Sequence, residues 1–345
     1  MKMKATKKTL KECRILVTPT TFGRCKPSPL IELENTVGRI VFNPENRPLK
    51  AYELCSLIVD IDGFIAGLDE IDASVINAAN RLKVIARYGV GTDRVDIDAA
   101  TLRGIIVTNS PNANSVSVAE LAICFMLALS RRLCSACEST RAGEWPRIDG
   151  IGLKDKTVGI VGFGSIGREV AYRLKAFGCR LITSDPFIEP ETAERYSAQL
   201  VTLDELLPQS DFVSLHLPLL PSSAGMVNKS FLKSMKKGAF IINTARGELI
   251  DESALIESLK KGHLRGAALD CFAKEPPGRD NPFFSFKQVI VTPHTGAHTD
   301  DAIARMSWTS TENCLAALRG EKPVNIVNPE VYEQIPGDNH DKKKM

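Results

Sequence analysis

The sequence contains no apolar run long enough to cross a bilayer, so no transmembrane helix is expected. It carries little excess of either charge. Lys and Arg number 44 and Asp and Glu 41, a formal net charge of +3. Part of that excess lies in the ends MKMKATKKTLK and DKKKM, which read as solvated tails, so neither a nucleic-acid nor a membrane partner is expected. The basic start runs into KKTLKECR rather than an apolar signal core. There is no internal repeat. Regular cysteine pairs are missing too: the nine cysteines are an odd number scattered through expected helices and strands, which argues against a disulfide framework and for a reducing, cytoplasmic compartment. Cys134 and Cys137 form a CxxC without a second pair, inside a helical stretch, and read as two small helix residues. No metal site is expected.

What is present is enough chain for two domains, since 345 residues exceed one ordinary compact core. Short β-rich runs alternate with helical spacing, the pattern of a parallel α/β sheet. RILVTP (14–19), DGFIAG (62–67), LKVIARYG (82–89) and GIIVTN (104–109) read as strands of a first βαβ domain, with helical spacing over 51–59. One long helix is expected over 115–141. A second series follows: TVGIVGFG (157–164), CRLITSD (179–185), DFVSLHLP (211–218), AFIINTAR (239–246), GAALDCF (266–272) and QVIVTPH (288–294). Helices are expected over 165–177, over 252–261 up to Gly262, and over 300–319 up to Gly320.

The strongest local motif is Gly162-Phe-Gly164-Ser-Ile-Gly167, directly after the apolar strand 158–161 and opening an amphipathic helix. Gly162 permits the tight turn, Gly164 lets a pyrophosphate approach the backbone, and Gly167 allows close helix–strand packing. The helix N-terminus offers N–H groups and a positive dipole end to the phosphates. A lone GxGxxG is weak evidence, but here Asp185 closes the next strand, where a carboxylate can accept hydrogen bonds from a ribose. A methyltransferase also uses a glycine-rich turn, yet would leave the next cluster unexplained.

Three ionisable residues stand at or just after the ends of successive late strands: Arg246, Glu275 and His294. Ligands of open parallel sheets bind at those carboxyl ends. A 2-keto acid needs its carboxylate held and its carbonyl oxygen protonated as hydride arrives. Arg246 suits the first task and His294 the second, with Glu275 orienting the imidazole. Alone, each has a structural reading: a surface cation, a loop carboxylate before Pro276, a capping residue. Their shared placement downstream of the fingerprint favours chemistry. His216 is a weaker candidate that reads as packing near the cofactor cleft. His298 reads as structural beside a helix start, His263 as a helix-end residue and His340 as a tail residue.

GIVGFGSIGREV, SDP, HLPLLPSS, NTARGELIDESAL, GAALDCFAKEPP and TPHTGAHT, with ARYGVGTDRVD and NSVSVAELA upstream, together resemble the ordered motifs of the D-isomer-specific 2-hydroxy acid dehydrogenases. The resemblance covers about residues 14–330 and leans toward the phosphoglycerate-dehydrogenase-like branch. It implies an α/β fold of two doubly wound parallel-sheet domains, a Rossmann NAD domain (113–302) inserted in a flavodoxin-like substrate domain (1–112 and 303–330), with 331–345 as a tail. It implies NAD as cofactor, a small 2-keto or 2-hydroxy acid as substrate, and a homodimer paired through the cofactor domain. Arg246, Glu275 and His294 become the catalytic set. Ser165 and Ile166 are implied at the pyrophosphate, and Thr244, Asp270 and the run His294–Ala297, including Gly296, along the nicotinamide. The backbone of Val90 and Gly91 is implied at the substrate carboxylate.

The chain departs from the branch at one point. Phosphoglycerate enzymes typically continue the strand matching FIAG with an arginine that faces the substrate phosphate, where this chain has Gly67; Arg87 is retained. A phosphorylated substrate such as 3-phosphoglycerate is therefore one reading. Hydroxypyruvate or glyoxylate reduction and phosphite oxidation are others, and an NAD-binding corepressor is the reading from outside enzymology.

Overall fold

A computed structural model describes residues 9–333; the tail segments 1–8 and 334–345, with His340, lie outside the described residues. The chain divides into two compact units. One joins the described residues up to Asn114 to those from His298 onward, and the other spans Ser115–Ala297.

The first unit holds β1 (Arg14–Val17), β2 (Arg39–Phe42), β3 (Gly63–Ala66), β4 (Val84–Arg87) and β5 (Ile106–Thr108), all parallel, in the order β2-β1-β3-β4-β5. That order is the flavodoxin-like form of doubly wound sheet. β3 and β4 are buried along their whole length, as a parallel strand covered on both faces must be. The returning helix Asp300–Arg319 covers one face, putting Cys314, Leu315 and Leu318 into a core with Ile15, Ile65 and Val84. Thr299 caps its start by accepting from Ala302 N–H, and Gly320 ends it at φ +78°.

The second unit holds β6 (Thr157–Val161), β7 (Arg180–Ser184), β8 (Ala198–Leu200), β9 (Phe212–Leu215), β10 (Phe240–Asn243), β11 (Gly266–Leu269) and β12 (Val289–Val291). All are parallel, in the order β12-β11-β10-β9-β6-β7-β8. The order reverses at β6, between β7 and β9, which is the doubly wound switch point where such sheets open a crevice. Every residue of β6 is buried. Ile160, Val170 and Leu174 pack between β6 and the helix Ser165–Leu174, each fully enclosed and contributing roughly 1.5–3 kcal/mol by burial.

The expected single helix over 115–141 is two, Ser115–Ser130 and Leu133–Arg141. The break has a visible cause. Ile151 N–H takes the Ser130 carbonyl at 2.8 Å, and Arg132 turns into the left-handed region at φ +50°. Two strands absent from the sequence expectation are β2 and β8. Both lie at sheet edges, are short and are partly exposed, so neither shows the long apolar run of a central strand. The strands expected to reach Arg246 and His294 stop at Asn243 and Val291, for reasons that shape the site.

Candidate active site

The fingerprint turn leaves β6 at the switch point. Gly162 has φ +90°, and a Cβ there would meet the His216 carbonyl oxygen at 2.6 Å. A Cβ on Gly167 would stand 2.3 Å from the Gly162 carbonyl oxygen, so helix and turn touch through this glycine. Gly164 is different: its Cβ would meet nothing within 4 Å. It is the N-cap of the helix Ser165–Leu174 and supplies no capping side chain. Ser165 beside it is exposed and Ile166 partly so. An anion can thus approach the helix N–H groups along the path that glycine leaves clear. Asp185 lies just past β7, with Phe163 N–H donating to Oδ2 at 2.7 Å and Phe187 N–H to Oδ1 at 2.9 Å. The turn fixes the carboxylate, and each oxygen keeps a lone pair for a ribose hydroxyl. Among the described residues, Thr244 Oγ1 and His216 Nδ1 are buried side-chain atoms without a hydrogen-bond partner. Open cradle, uncapped helix and unsatisfied polar atoms all fit a dinucleotide.

Arg246, Glu275 and His294 follow β10, β11 and β12, three neighbouring strands. Asn243 ends β10 by building its own turn: Ala245 N–H donates to Oδ1 at 3.0 Å and Nδ2 donates to the Arg246 carbonyl at 2.7 Å. Gly247 then passes so close to the next loop that a Cβ would lie 1.9 Å from the Phe272 carbonyl carbon. Only glycine lets the Arg246 loop lie against the loop that carries Glu275. Arg246 Nη1 donates to the Ala245 carbonyl at 2.7 Å.

The third loop is organised by Asp270, which is 1% exposed. Its carboxylate accepts from Thr295 N–H and Gly296 N–H, each at 2.8 Å, and from Thr292 Oγ1 at 2.5 Å. Its backbone carbonyl takes His294 N–H at 2.8 Å. Ser117 Oγ donates to the Gly296 carbonyl at 2.6 Å. These bonds hold His294 at φ +53°, an uncommon conformation for a side-chain-bearing residue that the loop over-determines. The imidazole meets Glu275 squarely: Nδ1 stands 2.9 Å from Oε2 and 3.0 Å from Oε1. Facing a carboxylate, Nδ1 carries a proton, which leaves Nε2 for the reaction. Phe272 N–H donates to Oε1 at 3.1 Å and steadies the carboxylate.

His216 lies elsewhere. Its side chain is buried, Nε2 is 2.8 Å from Ser214 Oγ, and burial pushes its pKa down to about 3, so near pH 7 it is a neutral imidazole and not an imidazolium acid. His263 Nε2 is 3.0 Å from the Met235 carbonyl, at a helix end. His298 begins the returning part of the first unit and is exposed. Sequence reasoning passed over Asn243, Gly247, Ser117 and Thr292. An asparagine at a strand end and an Arg-Gly pair after it were signals of a turn and a close approach.

In the first unit, Arg87 is buried rather than presented to solvent. Nη1 donates to the Ala66 carbonyl at 2.8 Å and Nε to the Gly91 carbonyl at 3.0 Å. Asn109 Nδ2 holds the Val90 carbonyl at 2.9 Å and Ser110 N–H the Gly89 carbonyl at 2.9 Å. With its carbonyls taken, the Val90–Gly91 loop has amide N–H groups to offer an anion. Beside Gly67 lies the buried carboxylate of Asp69. It accepts from Leu49 N–H at 2.8 Å, Gly67 N–H at 3.0 Å and the Thr18 hydroxyl.

Residues 123–296 match the profile of the D-isomer specific 2-hydroxyacid dehydrogenase, NAD binding domain. The chain is 45% identical to the D-3-phosphoglycerate dehydrogenase of Methanocaldococcus jannaschii over 280 residues, which is 80% of this chain and 53% of that protein. The chain thus spans about half the length of the curated relatives it matches. A solved structure from Thermus thermophilus superposes with a TM-score of 0.80 at 37% identity, covering 91% of this chain and 99% of that one. A glyoxylate reductase from Paecilomyes thermophila does so with a TM-score of 0.80 at 30% identity, covering 92% and 99%.

Proposed function

The chain belongs to the D-isomer-specific 2-hydroxyacid dehydrogenases, and from that premise we propose that it moves a hydride between NAD and the α carbon of a small D-2-hydroxy acid or its 2-keto partner. The observation that carries this reading is the Glu275–His294 pair, held beside the Arg246 loop on strand ends that follow a dinucleotide fingerprint. When bound, NADH would supply the hydride. Arg246 grips the substrate carboxylate through its planar fork and polarises the neighbouring carbonyl. His294 Nε2–H donates its proton to the carbonyl oxygen as charge develops there. Glu275 stabilises the charged imidazole and fixes the ring. Asp270 acts at one remove, by holding the loop that presents His294. In the oxidative direction the same Nε2 accepts the hydroxyl proton.

The test is a screen of 2-keto acids with and without a phosphate, followed by nicotinamide absorbance with NADH and NADPH. Asp185 repels a 2′-phosphate and accepts from a 2′-hydroxyl, so kcat/KM with NADH is expected to exceed that with NADPH by about tenfold or more, ~1.4 kcal/mol. Equal use of both cofactors contradicts the role of Asp185. Gly67 removes a cation, and the Asp69 carboxylate beside it adds no attraction for a phosphate. An unphosphorylated acid is therefore expected to react at least as well as 3-phosphohydroxypyruvate. The names of the curated relatives favour the opposite outcome. A phosphorylated acid winning by about 100-fold, roughly 2.7 kcal/mol, would establish that second reading. Steady turnover of any 2-keto acid excludes a purely binding role.

We further infer a homodimer through the second unit. The helices Ser115–Ser130, Leu133–Arg141 and Ser165–Leu174 border a groove of about 1510 Å³ lined by Leu127, Leu133, Pro146, Tyr172 and Phe177. Leu133 is 57% and Tyr172 68% exposed, with Trp145 nearby in the chain at 76%. Apolar groups clustered at a surface mark an interface. Light scattering is expected to give twice the mass of one chain, and half of that for Leu133→Asp with Tyr172→Asp. A parent protein with the mass of one chain would refute the dimer.

A further inference from the structure

The proton-transfer pair has one neighbour that the proposed reaction does not use. Cys271 follows β11 and is 2% exposed. One ligand atom from each of Cys271, Glu275 and His294 lies within 4.8 Å of the other two. Among the described residues, the Cys271 thiol makes a weak, long contact of 3.4 Å to the Ala245 carbonyl.

We propose that Cys271, Glu275 and His294 form an inhibitory Zn²⁺ site, with thiolate, carboxylate and imidazole as ligands and a water in the fourth position. The donor set selects the metal. Sulfur with nitrogen and one oxygen suits borderline-soft Zn²⁺, whereas Mg²⁺ and Ca²⁺ take oxygen ligands. Ligand atoms around tetrahedral Zn²⁺ stand ~3.3–3.7 Å apart, so side-chain shifts of about 1 Å close the site. Binding forms Zn–S, Zn–O and Zn–N bonds, releases the thiol proton to solvent and takes the imidazole in its neutral form. With the metal on the Nδ1 that faces Glu275, the ring keeps its Nε2–H but is no longer an imidazolium, so giving up that proton would leave an imidazolate, and the Glu275 charge is spent on the ion. The fold and the fingerprint turn are untouched, so NADH still binds.

The binding claim stands on this geometry alone; only its inhibitory consequence rests on the proposed role of His294. Co²⁺ reads the first and Zn²⁺ the second. Added to the purified protein, Co²⁺ is expected to give a near-ultraviolet thiolate-to-cobalt absorption band that Zn²⁺ abolishes. Cys124, Cys134 and Cys137 are exposed and free, so the band is read as parent minus Cys271→Ala. With a 2-keto substrate, Zn²⁺ is expected to inhibit the parent reversibly, with EDTA restoring the rate. Cys271→Ala keeps the parental rate without metal and needs about tenfold or more Zn²⁺ for the same inhibition. Cys271→Ser replaces it in both measurements if the alanine variant does not fold. Identical cobalt spectra in parent and variant overturn the site. A Cys271-dependent band with equal Zn²⁺ inhibition of both proteins overturns the inhibitory role. If no 2-keto acid is turned over, the proposed function fails by itself and the cobalt difference spectrum decides the site.

Discussion

His294→Ala is expected to lower kcat for the preferred 2-keto acid by about 10²–10⁴, while leaving NADH affinity close to parental by fluorescence titration. The lost group acts mainly in the transition state, where the carbonyl oxygen gains charge and needs a proton. The cofactor contacts proposed for Gly164 and Asp185 do not involve it. Arg246→Ala should fail differently. Its charge holds the substrate before and during the reaction, so KM should rise as kcat falls. Glu275→Gln keeps a hydrogen-bond acceptor for Nδ1–H but removes the charge behind the 2.9 Å contact. A hydrogen bond to a charged group contributes about 1.5–3 kcal/mol, so kcat should fall by roughly 10–100-fold, less than for the loss of the imidazole itself. Near-parental kcat in His294→Ala would remove the acid–base role. His216 would not inherit it, since burial keeps that ring neutral.

Two glycines three residues apart are expected to give opposite phenotypes. Gly164→Val should fold like the parent, because its Cβ points into open space, at a cost of about 1 kcal/mol for valine at the helix N-cap. It should nevertheless weaken NADH binding by about 100-fold, ~2.7 kcal/mol, because the added branch occupies the path of the pyrophosphate. Gly167→Ala should do the reverse first. Alanine in a helix normally stabilises by about 1 kcal/mol over glycine. Here the new Cβ meets the Gly162 carbonyl oxygen at 2.3 Å, so overpacking of ~1–3 kcal/mol outweighs that gain and lowers Tm by several degrees. Calorimetry with parallel fluorescence titration separates the two. A Gly164→Val protein that binds NADH as tightly as the parent would contradict the cradle, and a Gly167→Ala protein more stable than the parent would contradict the contact.

The sequence alone determined the elements whose cause is local. A buried parallel strand needs an unbroken apolar run, so TVGIV and FIIN were legible as strands. A strand-to-helix turn that admits a phosphate needs glycine at set positions, so the fingerprint around Gly162, Gly164 and Gly167 was legible, with Asp185 at the next strand end. Arg246, Glu275 and His294 stood out because their chemistry suits a keto acid. Tertiary structure decided what depends on distant chain segments. The order β10-β11-β12 is what makes three loops neighbours, and the close pass at Gly247 brings the Arg246 loop against the one that carries Glu275. The buried Asp270 carboxylate sets the His294 loop. The break after Ser130 was invisible to helical periodicity because its cause, Ile151 N–H, arrives from beyond the helix. The nearness of Cys271 to the proton-transfer pair was hidden for the same reason: pattern along a chain records which face a residue takes, and only packing records what it meets there.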